Sequence, residues 1–342
     1  MTDESRYYCF DFLRVVGAFA VIVIHVAASK WYTTDIHTFE WETMNFYDSI
    51  VRWAVPVFVM ISGALFLSRD IPVRKIYSKY IYRIFMAFLF WSFVYAAHEY
   101  MKNRDIIKAA GHFLKGHYHM WFLYMIAGLY MIVPFVKRIA ESESLTKYFI
   151  VLAFFFAFLF PEIVNFISVF SEKYGEFAGS LTNRFYLQFA GGFTGYFLLG
   201  YFLSRTEISH KTAKIMYALG IAGYITGMLL SVTVSMITGK ASQTFYSNLT
   251  VNNLLWAASV FVFFKAKFNR PSRIIRVLSQ YSFGAYLVHA AVIGLIINTL
   301  GLNTLTFNPL LSIPVISVIV FVISFGISAV LNQIPVLNKY IV

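Results

Sequence analysis

Arg14 and His25 stand eleven residues apart in a stretch that between them holds only Val, Gly, Ala, Phe and Ile. In a helix, 100° and 1.5 Å per residue put the two side chains about 20° apart in azimuth and ~16 Å apart along the axis. Asp11 falls three residues before Arg14, on the same face. An imidazole is the natural group for taking a proton from a hydroxyl near neutral pH, and a planar guanidinium suits a phosphate. The stripe therefore predicts general-base chemistry on a hydroxyl. His25 is the expected base or a transient covalent carrier, Arg14 the cation required beside it, and Asp11 the group that orients Arg14; the alternatives are a packed core imidazole and an Asp11–Arg14 ion pair at the interface.

Further polar side chains interrupt apolar runs elsewhere. Arg52 precedes Trp-Ala-Val-Pro-Val-Phe-Val-Met-Ile-Ser-Gly63, where it either contacts substrate or forms a structural pair with Asp48. Arg83 follows Arg74, Lys75 and Lys79; the four cations either anchor the chain at an interface or hold an anionic ligand. His119 and Trp121 suit an aromatic belt or a sugar-binding surface equally. His289 ends the string Tyr281-Ser-Phe-Gly-Ala-Tyr-Leu-Val-His289, as a packing or a substrate-facing residue. His112, His117 and His119 have no acid cluster near them, so no metal site is expected. The single Cys9 excludes an internal disulfide.

These groups need a lipid-embedded scaffold. Of 342 residues, 59% are hydrophobic and 13% charged, too few to clothe a water-facing surface of this size. About 20 apolar residues cross the hydrocarbon as helix. Ten candidates follow, at 11–29, 47–68, 80–99, 119–137, 146–161, 185–204, 213–238, 249–265, 281–300 and 312–331. The fifth is short and is expected to end at Pro161. The longest connection, 162–184, leaves no room for a soluble domain, so residues 1–342 read as one all-α polytopic domain. Nothing at the N-terminus looks like a cleavable signal, because Asp3, Glu4 and Asp11 come first.

The net charge of +12 is a topology signal here rather than a nucleic-acid footprint. Of the 28 Lys and Arg, 17 fall in one alternating set of connections and eight in the other, the remaining three being Arg14, Arg52 and Arg83. The excess predicts both termini in the cytoplasm. The connection 100–118 departs from the rule: it is basic although it belongs to the outer set, and its charge either breaks the rule or serves something anionic.

Several strings together resemble the acyltransferase-3 family. They are Arg14-X10-His25, "RWAVPVFVMISGALF", "HMWFLYMIAGLYMIVP" and "YSFGAYLVH", in this order over residues 11–289. The length is similar to the stand-alone branch, without a fused soluble domain. The resemblance implies transfer of an acyl group, usually acetyl, from cytoplasmic acetyl-CoA or another short acyl-CoA to a sugar hydroxyl of a glycolipid or polysaccharide. It implies a multi-pass protein of the cytoplasmic membrane, with the family's first-helix arginine and histidine at Arg14 and His25. The family's paired arginines near the third helix are not matched, since Tyr80 stands three residues before Arg83. The alternative is an exporter of a polysaccharide or lipid-linked sugar, whose usual internal repeats are not found.

Overall fold

The computed structural model describes residues 7–185 and 190–342. Hydrocarbon offers no water to satisfy backbone N–H and C=O groups, so a chain this apolar is driven to helix. Among the described residues there is no strand. The helices are α1 (Tyr8–Ala28), α2 (Phe39–Val51), α3 (Ala54–Leu67), α4 (Val73–Lys75), α5 (Tyr82–Asn103), α6 (Ile106–Lys115), α7 (Trp121–Ala140) and α8 (Glu143–Ala153). They continue as α9 (Phe160–Phe170), α10 (Glu172–Asn183), α11 (Thr194–Arg205), α12 (His210–Thr238), α13 (Val251–Lys267), α14 (Arg273–Asn298), α15 (Pro309–Asn332) and α16 (Pro335–Tyr340). Nine helical segments among the described residues are long and apolar enough to span a membrane. The remaining expected span, 185–204, includes residues 186–189, which lie outside the described residues; α11 is its described part.

The first helix is the axis of the bundle. Two thirds (67%) of an 18-residue stretch of α1 is buried, against 17% for a like stretch of the segment Glu143–Phe170. It packs on α2, α3, α13, α14 and α15. Protein rather than lipid therefore surrounds Asp11, Arg14 and His25, the condition under which a membrane helix tolerates such groups. Cys9 N–H donates to Asn269 Oδ1 at 3.4 Å, and Arg83 donates to the main-chain carbonyl of Val342. The start of α1, the start of α5 and the last residues thus share one end of the bundle, the Arg14 end; His25 lies toward the other.

Prolines set the joints. The carbonyl that Pro56 cannot bond belongs to Arg52, four residues earlier, and the helix breaks at Arg52–Trp53. Arg52 therefore stands at the α2–α3 joint rather than inside one continuous helix. α2 begins at Phe39, well before the expected start, because Thr38 Oγ1 accepts the Trp41 N–H at 3.3 Å and caps it. The expected stop at Pro161 is overturned. A π-helical turn over Phe154–Leu159 displaces the bonding ladder, and Pro161 arrives in the first turn of α9, where a missing N–H is harmless. The segment runs on to Phe170. The stretches 162–184 and 100–118, expected as connections, contain α9–α10 and α6.

Close backbone packing fixes the wall of the site. A Cβ on Gly63 would lie 1.8 Å from the Phe197 carbonyl oxygen, and one on Gly200 2.1 Å from that of Met60. The reciprocal glycines bring α3 and α11 into backbone contact, as small residues do between membrane helices. At the Arg14 end Lys137 holds the Arg69 carbonyl and Asp70, keeping the Asp70 carboxyl below the usual carboxylate range.

Candidate active site

An elongated cavity of about 500 Å³ runs beside α1, walled by α3, α5, α7 and α14. Its middle is apolar, with Val21, Ile24, Val55, Phe58, Ile61, Phe122 and Ile126. Ser62, Ser282 and Tyr286 supply polar atoms there. Arg14 and His25 both line it, because the 3.6-residue period returns the two positions to one face of the helix.

At the Arg14 end the cavity is bounded by Arg14, Tyr80, Arg83, Ser279 and Gln280. Asp11, buried behind Arg14, accepts from its Nη1 at 3.5 Å and from Ser279 Oγ at 2.8 Å. The carboxylate thus ties α1 to α14 and turns the guanidinium toward the cavity. Arg83, besides holding the Val342 carbonyl, lies with its guanidinium 5.6 Å from the centre of the Phe283 ring. Arg74, Lys75 and Lys79 are exposed at the same end but do not line the cavity.

The opposite end is aromatic and rich in imidazole. The His25 ring lies 5.2 Å from that of His289 and 5.0 Å, edge-on, from that of Tyr118. His289 is fully buried behind His25 and outside the cavity lining; its Nδ1 is bonded to the Tyr286 carbonyl. A carbonyl only accepts, so Nδ1 carries the proton. The bare Nε2 has no partner among the described residues. His119 lines the cavity, its Nδ1 3.0 Å from His117 Nδ1, while its main-chain oxygen accepts from Tyr286. Trp121 lines the same end and stays partly exposed. Arg52 faces the cavity too, paired with the buried Asp48, donating to the Tyr246 carbonyl at 3.3 Å and lying 4.8 Å over the Tyr246 ring.

One cavity thus joins Arg14, His25, Arg52, Arg83, His119 and Trp121, while Asp11 and His289 support it from behind. A guanidinium at each end and an imidazole reached through an apolar passage suit a long substrate with an anionic head and a reacting tip. A family model described as an acyltransferase domain matches residues 7–329. The chain belongs to the acyltransferase-3 family. No curated protein and no solved structure matches it. For this membrane acyltransferase the membership favours acyl transfer over export as the use of the passage.

Sequence reasoning missed Tyr118, Asn248, Ser279, Gln280, Ser282 and Tyr286. On α14 a signal existed: Ser279, Ser282, Tyr286 and His289 recur at intervals of three, four and three, which is one polar stripe on an apolar helix. Asn248 sits between helices, where periodicity is silent.

Proposed function

We propose that this acyltransferase moves a short acyl group, most simply acetyl, from acyl-CoA to a sugar hydroxyl of a cell-surface glycolipid or polysaccharide. The observation that carries the reading is that Arg14 and His25 stand toward opposite ends of one passage. Their ~16 Å separation is about half of a ~30 Å hydrocarbon core, a distance suited to the thin pantetheine arm of CoA. The Arg14 end faces the cytoplasm in this reading, as the excess of basic residues there favours, and the protein is a multi-pass component of the cytoplasmic membrane.

The donor's phosphates rest against Arg14 and Arg83, with Arg74, Lys75 and Lys79 raising the local concentration of a polyanion on the approach. The thioester then lies beside His25. His25 takes the proton of the acceptor hydroxyl while the oxygen bonds to the thioester carbonyl carbon. As the C–S bond breaks, the sulfur takes that proton from the imidazolium, so CoA leaves as a thiol and His25 returns to its neutral form. On the acceptor side Trp121 offers a flat face to the sugar, while Arg52 and His119 offer partners to its oxygens.

Membranes containing the protein, given acyl-labelled acyl-CoA, are expected to yield labelled glycolipid. A His25→Ala variant at the same protein level is expected to yield almost none. Equal labelling by both proteins overturns the reading.

A further inference from the structure

The connection that breaks the charge rule is built as a surface helix leading to His25. α6 runs from Ile106 to Lys115, capped by Asp105, whose carboxylate accepts the Ile107 and Lys108 N–H groups at 3.0 Å. At 100° per residue, Ile107 and Leu114 fall on one stripe, Lys108 and Lys115 on a second about 90° away, and Ala109 on the far side. Ala109 is the buried position, while Ile107 and Leu114 are 82% and 70% exposed. Such a helix lies in a membrane interface, with leucine and isoleucine toward the acyl chains and a flank of lysines at headgroup level. Lys102 and Arg104 add two more exposed cations just before it. The local carboxylates offset only part of this charge. Four cations against Glu99 and Asp105 leave the stretch 99–115 with an excess of two positive charges, and the Asp105–Lys108 contact, at 3.9 Å between two exposed side chains, holds Lys108 only weakly.

The same helix delivers the chain to the reaction centre. Tyr124 Oη holds the Leu114 carbonyl at 2.7 Å, and Gly116, at φ +73°, turns the backbone into His117–Tyr118–His119. Tyr118 touches His25 edge-on, yet is 56% exposed, so a single ring separates the imidazole from the surface on this side.

From this juxtaposition we infer that α6 is the docking surface for the phosphate of a lipid-linked acceptor, whose sugar then passes Tyr118 to reach His25. The inference deepens the reading above and rests on its choice of His25 as the reacting end. The cation flank supplies charge complementarity for a lipid phosphate or diphosphate, and the exposed Ile107 and Leu114 meet its chain. Each lysine near a charged membrane surface contributes on the scale of a several-fold change in affinity.

The test is binding of farnesyl diphosphate to the full-length protein in phosphatidylcholine nanodiscs, with farnesol and inorganic diphosphate as controls. Farnesyl diphosphate is expected to bind with a salt-sensitive Kd that rises about tenfold in Lys108→Gln/Lys115→Gln, whereas farnesol binds both proteins alike. An unchanged Kd in the double variant overturns the inference. So does equal competition by phosphatidylglycerol at the same mole fraction, which would make α6 a reader of bulk lipid rather than of an acceptor. Inorganic diphosphate binding as tightly as farnesyl diphosphate would also overturn it, since the apolar stripe would then be idle. Because the readout is binding, it is independent of whether acyl-CoA labels glycolipid, so failure here and failure of the transfer reading are told apart.

Discussion

His25 on α1 and His289 on α14 lie with ring centroids 5.2 Å apart and planes inclined by 27°. At the other end of the same two helices Asp11 accepts a hydrogen bond from Ser279. The polar stripe of one helix therefore faces the polar stripe of the other along the whole cavity, with both helices running in the same direction. α14 is as much a part of the site as α1. Its stripe meets each polar group of α1: Ser279 bonds to Asp11 of the Asp11–Arg14 pair, and His289 stands behind His25.

The two histidines should differ sharply under substitution. Losing a general base typically costs about 10²–10⁴-fold in rate with the fold intact. His25→Ala is expected to insert normally and lose transfer by that factor. His289→Gln keeps a polar group near the Tyr286 carbonyl and should lose roughly tenfold, by loosening the ring that His25 rests on. Initial rates of acyl transfer in membranes with matched protein levels distinguish them. A larger loss for His289→Gln than for His25→Ala would exchange their roles.

Asp11 should act on donor binding rather than on chemistry. Its carboxylate orients Arg14 and ties α1 to Ser279, while His25 sits about four turns away. Asp11→Asn keeps the shape and the Ser279 bond but removes the charge. The expected outcome is a several-fold rise in KM for acyl-CoA with kcat largely retained, the pattern of lost uniform binding. A fall in kcat at unchanged KM, measured by varying donor concentration, would contradict this.

How much of this was legible in the sequence follows the period of the helix. Arg14 and His25 could be assigned to one face because nothing interrupts α1 between them, and the structure brings both to one cavity. Arg52 was harder. It stands in an apolar run, and only the Pro56 break shows that it lies at a joint, where Asp48 reaches it one turn earlier. Pro161 misled for a physical reason, since a π turn has no signature in a string of Phe. Lys265 misled differently: it counts among the 17 cations of the basic set of connections. In the fold it donates to the Leu203 and Thr206 carbonyls at 2.7 and 2.8 Å, closing the C-terminal end of α11. A charge count cannot tell a free lysine from one already used as a cap. The pairing of Gly63 with Gly200 was likewise invisible, because it depends on which helices meet.

That pairing gives a stability prediction. At Gly63 a side chain would meet backbone rather than a flexible tip, with the Phe197 carbonyl oxygen 1.8 Å from the first added carbon. α3 and α11 would have to separate. Overpacking of this kind costs typically about 1–3 kcal/mol, and immovable backbone argues for the upper part of that range. Gly63→Val should lower the unfolding temperature of the detergent-solubilised protein by several degrees, whereas Gly128→Ala, inside α7 with nothing within 4 Å, should not lower it. Equal melting of Gly63→Val and wild type would mean that the two helices do not touch.

The Asp48–Arg52 pair allows a sharper test, because only Arg52 lines the cavity. Asp48 is almost fully buried and Arg52 partly so; the pair sits between the cavity and the Tyr246 ring, whose hydroxyl bonds to Asn45. Removing one member of a buried pair typically costs about 3–5 kcal/mol, because the other charge is left without compensation. Removing both is far milder, since no charge is stranded. Asp48→Ala should therefore destabilise the protein strongly, and Asp48→Ala/Arg52→Met should recover most of the unfolding temperature. Activity should not follow stability. If Arg52 binds the acceptor, the stable double variant remains poor, with a raised KM for acceptor and an unchanged KM for acyl-CoA. If the double variant recovered both its melting temperature and its acceptor KM, Arg52 would be a structural ion-pair partner only, and recognition of the acceptor would pass to His119 and Trp121.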